Sequence, residues 1–268
     1  MGNNAPIGVF DSGIGGLTVM KELINLLPGE NFIYFGDTAR VPYGSRPPAE
    51  IKEFTDDIMR FLSAQDIKMV VMACNAMTSV SYEFVKEKYK LPTVGVNRGL
   101  ERAIKLSTTK KIGVIGTVAT VTSRLHEKEL FIQDSNAKIY AVGCPQLVPL
   151  IESGILEGPQ IEEAAAEYLL PLKQAGVDVI ILACTHYPFI TEVISRFMGK
   201  GTAIINPACE TAQDAWEILK KSDQLAARGQ GSVELCFSSD LEQAARMAGH
   251  LFDTTAVSFR LVNLQDFR

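Results

Sequence analysis

The chain has 268 residues, 47% hydrophobic and 21% charged, the balance of an ordinary globular protein and enough length for two domains. Its net charge of −5 at pH 7 argues against a nucleic-acid platform, and no apolar run reaches the length of a membrane span. Five cysteines, odd in number and without a CxxC pair, argue against a disulfide framework and for a reducing cytoplasm. The opening MGNNAPIGVFDSG has neither the basic segment nor the long apolar core of a secretory signal.

Strand-like and helix-like runs alternate throughout, which predicts an α/β fold with mainly parallel sheets. Residues 6–10 read as a strand, and 16–27 as a helix with Leu17, Met20, Leu23, Ile24 and Leu27 at helical spacing. A strand at 31–35 leads into the loop GDTARVPYGSRP at 36–47. A helix at 50–65 precedes a strand running to Cys74, followed by a helix at 79–90 and a short strand at 92–96. The next set begins with a strand at 111–115, a helix at 122–133 and a strand at 138–142. A helix at 160–174 then precedes the strand that runs to Cys184. Strands at 203–205, 233–237 and 257–262 and helices at 210–221 and 240–250 complete the chain. The expected organisation is two pseudo-symmetric lobes, one from residues 1–97 with 209–268 and the other from 98–208.

The symmetry is suggested by a repeated layout. KMVVMACNAMTS at 68–79 and IILACTHYPF at 180–189 each carry an apolar run into Ala-Cys and then a polar residue. The lead-ins match as well: Ile7-Gly8-Val9 lies 67 residues before Cys74, and Ile112-Gly113-Val114 lies 72 before Cys184, counted from each isoleucine. An internal duplication would pack the halves about a pseudo-twofold axis. The carboxyl ends of parallel strands are where ligands bind in open α/β sheets. One cysteine there reads as a small hydrophobe, a base or a nucleophile. Two at equivalent positions read as a matched pair facing one cleft.

Other motifs surround these strand ends. DSGIGG at 11–16 follows a strand and opens a helix, so its backbone N–H groups could receive an anion; the bland reading is a turn capped by Ser12 or Asp11. It is neither a dinucleotide fingerprint, having Thr18 where the third glycine belongs, nor a Walker loop. Asp11 is placed to tune a thiol or accept a substrate ammonium. The 36–47 loop, with Tyr43 and Gly44, reads as a binding loop over the strand ends. His186, two residues after Cys184, can lower that thiol's proton affinity. His126 and His250 read as surface residues of ordinary helices, Cys144 and Cys236 as packing residues, and Glu152 on its own as a surface carboxylate. A metal site from Asp11, Cys74, Cys184 and His186 fits no recognised zinc spacing, so no metal is expected.

Two thiols flanking a small molecule can invert a stereocentre. One, as thiolate, takes a proton from carbon while the other, as thiol, delivers one to the opposite face. Donors for the developing charge would be backbone N–H groups after Asp11, Cys74 and Cys184, with the hydroxyls of Ser12, Thr117, Thr120 and Thr185.

DSGIGGLTV, GDTARVPYG, ACN, GTVATVTS, CPQLVPLIESG and ACTHYP, in that order from about Ile7 to Glu210, resemble the glutamate racemases of the aspartate/glutamate racemase superfamily. The resemblance implies two α/β lobes with the site between them, no cofactor or metal, and interconversion of L- and D-glutamate for peptidoglycan synthesis. By position it implies Cys74 and Cys184 as acid/base thiols assisted by Asp11 and His186, with Glu152 supporting His186. It implies substrate contacts from Asp11, Ser12, Tyr43, Gly44, Asn75, the backbone of Ala76, Thr120, Thr185 and His186. The expected partner is a small acidic amino acid, with no nucleic acid and no membrane; a homodimer is one allowed assembly. Three places depart from the family pattern: Ala76 where it has Thr, Asn97-Arg98 where it has Glu-Pro, and Asn206-Pro207-Ala208-Cys209 before Glu210-Thr211. They leave open a paralogue acting on another acidic amino acid such as aspartate, or a weakly active binding or regulatory protein.

Overall fold

Short aliphatic and β-branched runs, buried on both faces, form parallel strands separated by amphipathic helices. The computed structural model describes residues 2–227 and 229–267. The first set comprises β1 (Ile7–Asp11), α1 (Leu17–Leu26), β2 (Phe32–Gly36), α2 (Pro48–Ser63), β3 (Met69–Met72), α3 (Asn75–Tyr89) and β4 (Thr93–Gly95). After α4 (Leu100–Leu106) come β5 (Lys111–Gly116), α5 (Val118–Thr122), α6 (Leu125–Gln133), β6 (Lys138–Gly143) and α7 (Leu147–Glu152). Then follow α8 (Pro159–Ala175), β7 (Val179–Ala183), a 3₁₀ turn at Tyr187–Ile190, α9 (Thr191–Met198) and β8 (Ala203–Ile205). The chain finishes with α10 (Ala208–Lys221), β9 (Val233–Phe237), α11 (Leu241–Gly249), β10 (Val257–Leu261) and a 3₁₀ turn at Leu264–Phe267.

Two sheets result, both all-parallel. One has the order β10-β9-β2-β1-β3-β4 and the other β6-β5-β7-β8. Within the first, β2-β1-β3-β4 repeats the order β6-β5-β7-β8 of the second, as a duplication requires. Register makes the match residue by residue. Ile7 pairs with Met69 and Ile112 with Val179, so Ser12 sits level with Cys74 and Thr117 level with Cys184. β9 and β10 extend the first sheet alone, from the edge of β2.

Alternating side chains fill a core on each face. Ile7 and Val9 of β1 face a cluster with Leu17, Met20 and, from α10, Ala212 and Ala215. Phe10 faces the opposite cluster, with Ile58 and Phe61 of α2. The second sheet is sandwiched likewise, by Leu169 and Leu172 of α8 on one face and Leu100 and Leu130 on the other. No helix among the described residues is long and apolar enough to cross a membrane.

Several elements differ from the sequence reading. The helix expected at 79–90 starts directly at Asn75, so Cys74 becomes its N-cap. The expected helix at 122–133 is two helices, broken where Arg124 adopts a left-handed conformation with φ 55°. α4, α7 and α9, of 7, 6 and 8 residues, were not expected at all. His126, read as a surface residue, is 7% exposed, because α6 turns it inward beside Leu130.

Candidate active site

The two sheets present their carboxyl ends to each other, and Cys74 and Cys184 line one narrow pocket between them. Ser12, Asn75 and Ala76 also line it from the first lobe, with Thr117, Thr185 and His186 from the second. The two cysteines are 5% and 4% exposed, and the pocket leaves room for about one water molecule.

Cys74 ends its strand and caps α3. Its Sγ lies 3.8 Å from Ser12 Oγ and receives the Met77 N–H, as the start of a helix allows. A helix N-terminus ordinarily favours a thiolate. Here burial outweighs it, and the adjacent Asp11 adds to the effect, so the thiol's proton affinity rises well above the ordinary range. Cys74 therefore rests protonated. Asp11 accepts from the Gly13 N–H at 2.8 Å and from the Thr185 hydroxyl at 3.0 Å, which ties the two lobes together. Burial raises its own pKa, against the pull of His186 and these donors.

The Cys184 side is built differently. His186 Nδ1 lies 3.8 Å from Cys184 Sγ, and Nε2 lies 2.5 Å from Glu152 Oε1. Burial alone would lower the imidazole pKa, but the Cys184 and Glu152 partners carry it well above the ordinary histidine value. Glu152, read from sequence as a surface carboxylate, closes α7 with its side chain only 13% exposed. Its Oε1 also receives the Ile14 N–H at 2.9 Å. The DSGIGG turn thus does hold an anion, but one supplied by the other lobe. Its glycines are needed for close approach: a Cβ at Gly13 would collide with Glu152, and one at Gly15 with His186.

The 36–47 loop covers the pocket. Asp37, buried completely, accepts from Arg40 Nε at 2.5 Å, from Ser238 Oγ at 2.7 Å and from the Tyr43 hydroxyl. Tyr43 and Gly44 line the pocket, but the Tyr43 hydroxyl is committed to Asp37. Gly44 O accepts from the Ala119 N–H at 2.9 Å, so the loop rests on the second lobe. Sequence reasoning missed Asp37, although its place directly after β2 was a signal. Thr120 is behind the pocket wall: it is 1% exposed and its Oγ1 lies 3.0 Å from that of Thr117, which is the residue lining the pocket.

Asn75 Nδ2 is buried and, among the described residues, has no hydrogen-bond partner. Asn75 is 6% exposed and lines the pocket, so a bound acceptor is what would complete it. Ala76 brings no hydroxyl, and Thr78 does not replace one. The Thr78 hydroxyl donates to Met72 O at 3.2 Å and accepts from the Val96 N–H at 3.2 Å. Asn97 and Arg98 stand away from the thiols, at the crossing between lobes. Asn97 donates to Asp214 at 2.8 Å, and Arg98 pairs with Glu129 at 2.6 Å. Among the described residues no three His, Cys, Asp or Glu side chains are grouped as a metal site.

Known proteins agree with this architecture. The family model "Asp/Glu/Hydantoin racemase" matches residues 7–215. A glutamate racemase of Thermoanaerobacter pseudethanolicus is 43% identical over 247 residues, 92% of each chain. The crystal structure of a glutamate racemase isoform from Bacillus anthracis superposes with a TM-score of 0.90 at 33% identity, covering 97% of this chain and 98% of that one. That of glutamate racemase from Francisella tularensis in complex with D-glutamate gives 0.87 at 30% identity, covering 98% and 99%. With two matching parallel sheets and a cysteine from each in one pocket, the chain belongs to the Asp/Glu/hydantoin racemase family, a family of isomerases.

Proposed function

We propose that the chain is a cofactor-independent glutamate racemase, interconverting L- and D-glutamate by proton transfer at Cα between Cys74 and Cys184. The observation that carries this reading is the single pocket lined by two thiols from equivalent strand ends. One thiolate removes the Cα proton, and the opposing thiol protonates the other face. Cys74, resting protonated, is ready as the acid in one direction and becomes the base in the other. Asp11 serves the Cys74 side, while His186, held by Glu152, serves the Cys184 side.

The carbanion needs its carboxylate held by aimed donors in a site without bulk water. The unpartnered Asn75 amide and the Ser12 hydroxyl are suited to that, together with the N–H groups opening α3. The room for about one water means that the lobes must part to admit substrate and close around it.

The relatives' names support glutamate as substrate. We place the product, D-glutamate, in peptidoglycan synthesis and the enzyme in the cytoplasm, a setting that suits five free cysteines. The lobes are proposed to divide as residues 1–97 with 209–268 and residues 98–208. The test is circular dichroism of the purified protein with D-glutamate or D-aspartate and no added cofactor. Signal decay with glutamate supports the proposal; decay with aspartate alone, or with neither, overturns it.

A further inference from the structure

A second cleft, of about 700 Å³, opens between the lobes outside the thiol pocket. Its walls include Gly44, Arg46 and Lys52 from the first lobe and Ala119, Thr122 and Ser123 from the second. A small neck joins the two: it shares Gly44, Ser45 and Val118 with the outer cleft, and Pro42, Thr117 and Val148 with the pocket. The bond from Ala119 N–H to Gly44 O crosses at this neck. Gly44 lines the pocket, the neck and the outer cleft alike, so the three lie in a row along the seam between the lobes.

Its charge is opposite to that of the molecule. Arg46 and Lys52 line it and, among the described residues, no carboxylate does, in a chain of net charge −5. Two other clefts show the contrast. One is lined by Glu83, Glu129, Asp214 and Glu217 against Arg98 and Lys221. Another is lined by Asp37, Asp57 and Asp266 against Arg40. Glu50, outside the cleft lining, pairs with Arg46 at 3.0 Å and offsets part of its charge. Lys52 Nζ sits 5.7 Å from the Phe84 ring centre, which holds it over an apolar surface. A cleft with cations on low-dielectric walls concentrates anions.

We propose that this cleft is the mouth of the thiol pocket and that Lys52 and Arg46 select anionic substrates there. The inference deepens the reading of an acidic amino-acid substrate and rests on it. Neither side chain lines the thiol pocket, so both act on admission rather than on the reacting carbon.

Thiol alkylation tests this without relying on turnover. Iodoacetate is an anion and iodoacetamide is neutral, and mass spectrometry reads their ratio at Cys74 and Cys184. Exposed Cys209 in the same molecule is the reference. At low ionic strength, Lys52→Gln and Arg46→Gln should each lower the relative preference for iodoacetate by about threefold. Glu50→Gln should raise it, a change of sign that a structural effect would not produce. All three differences should vanish at about 0.5 M salt. An unchanged ratio in both cation variants, or a lowered one in Glu50→Gln, overturns the proposal. Glutamate turnover by the unaltered protein is read in parallel. Its absence would overturn the proposed reaction, while the reagent ratio still decides the role of the cleft.

Discussion

Cys74 stands where a helix N-terminus favours thiolate, yet burial and Asp11 keep its proton in place. Cys184 instead faces an imidazole whose proton is retained through Glu152. This asymmetry gives the two thiols different surroundings, and it could not be read from two near-identical Ala-Cys motifs. That the thiols, Asp11 and His186 lie close together was legible because each sits at or just past the carboxyl end of a recognisable strand. Glu152 was legible only through the resemblance, since a carboxylate after a six-residue helix does not by itself show what it will meet, and Asp37 was missed although it stands directly after β2. Ala76 belongs to this scale too. Restoring a hydroxyl with Ala76→Thr should add one hydrogen bond to the bound carboxylate, roughly 1.5–3 kcal/mol. The expected result is a lower KM for glutamate with kcat little changed, read by steady-state kinetics; an unchanged KM would show that the hydroxyl has no partner there.

The element that joins the two halves is the DSGIGG turn before α1. Gly13 and Gly15 lie so close to Glu152 and His186 that the turn serves as a seat for the second lobe. Gly13→Ala should push the Glu152 carboxylate away and break its bonds to Ile14 N–H and His186 Nε2. Loss of one positioned acid/base partner is worth about 10²–10⁴ in rate at most, and an indirect displacement should cost kcat about tenfold to a hundredfold. The far-ultraviolet dichroism should stay as in the unaltered protein, separating this from misfolding. Glu152→Gln should lower kcat in the same direction. The sheets themselves were legible, since the strands of the described residues fall on apolar or alternating runs between turn residues. The short helices α4, α7 and α9 were not, because fewer than three turns do not establish a helical period. The break at Arg124 was hidden for another reason: only tertiary contacts decide which residue of a polar stretch turns left-handed.

At the scale of the whole molecule, folding and protonating His186 are linked. Its folded-state pKa lies above the ordinary value of about 6.5 that it regains on unfolding. Its contribution to stability is therefore complete below about pH 6.5 and is lost as pH climbs through the raised folded value. Urea unfolding at about pH 6 and pH 9 should show a stability difference between the unaltered protein and His186→Asn that is larger at the lower pH. A difference that is the same at both would show that His186 does not hold its proton in the fold.

Duplication is the feature that links all three scales, for the four strands that match between the two sheets bring two equivalent strand ends, each with a cysteine, to one pocket, and the proposed two-base transfer rests on that pair. Deuterium incorporation tests that claim most directly. The protein is incubated with D-glutamate in D₂O, and both enantiomers are analysed by mass before equilibrium is reached. Two opposed thiols predict deuterium at Cα of the L-glutamate formed and little in the remaining D-glutamate, with Cys74→Ser and Cys184→Ser each abolishing racemisation. Equal deuterium in both enantiomers, or racemisation that survives either substitution, would contradict it.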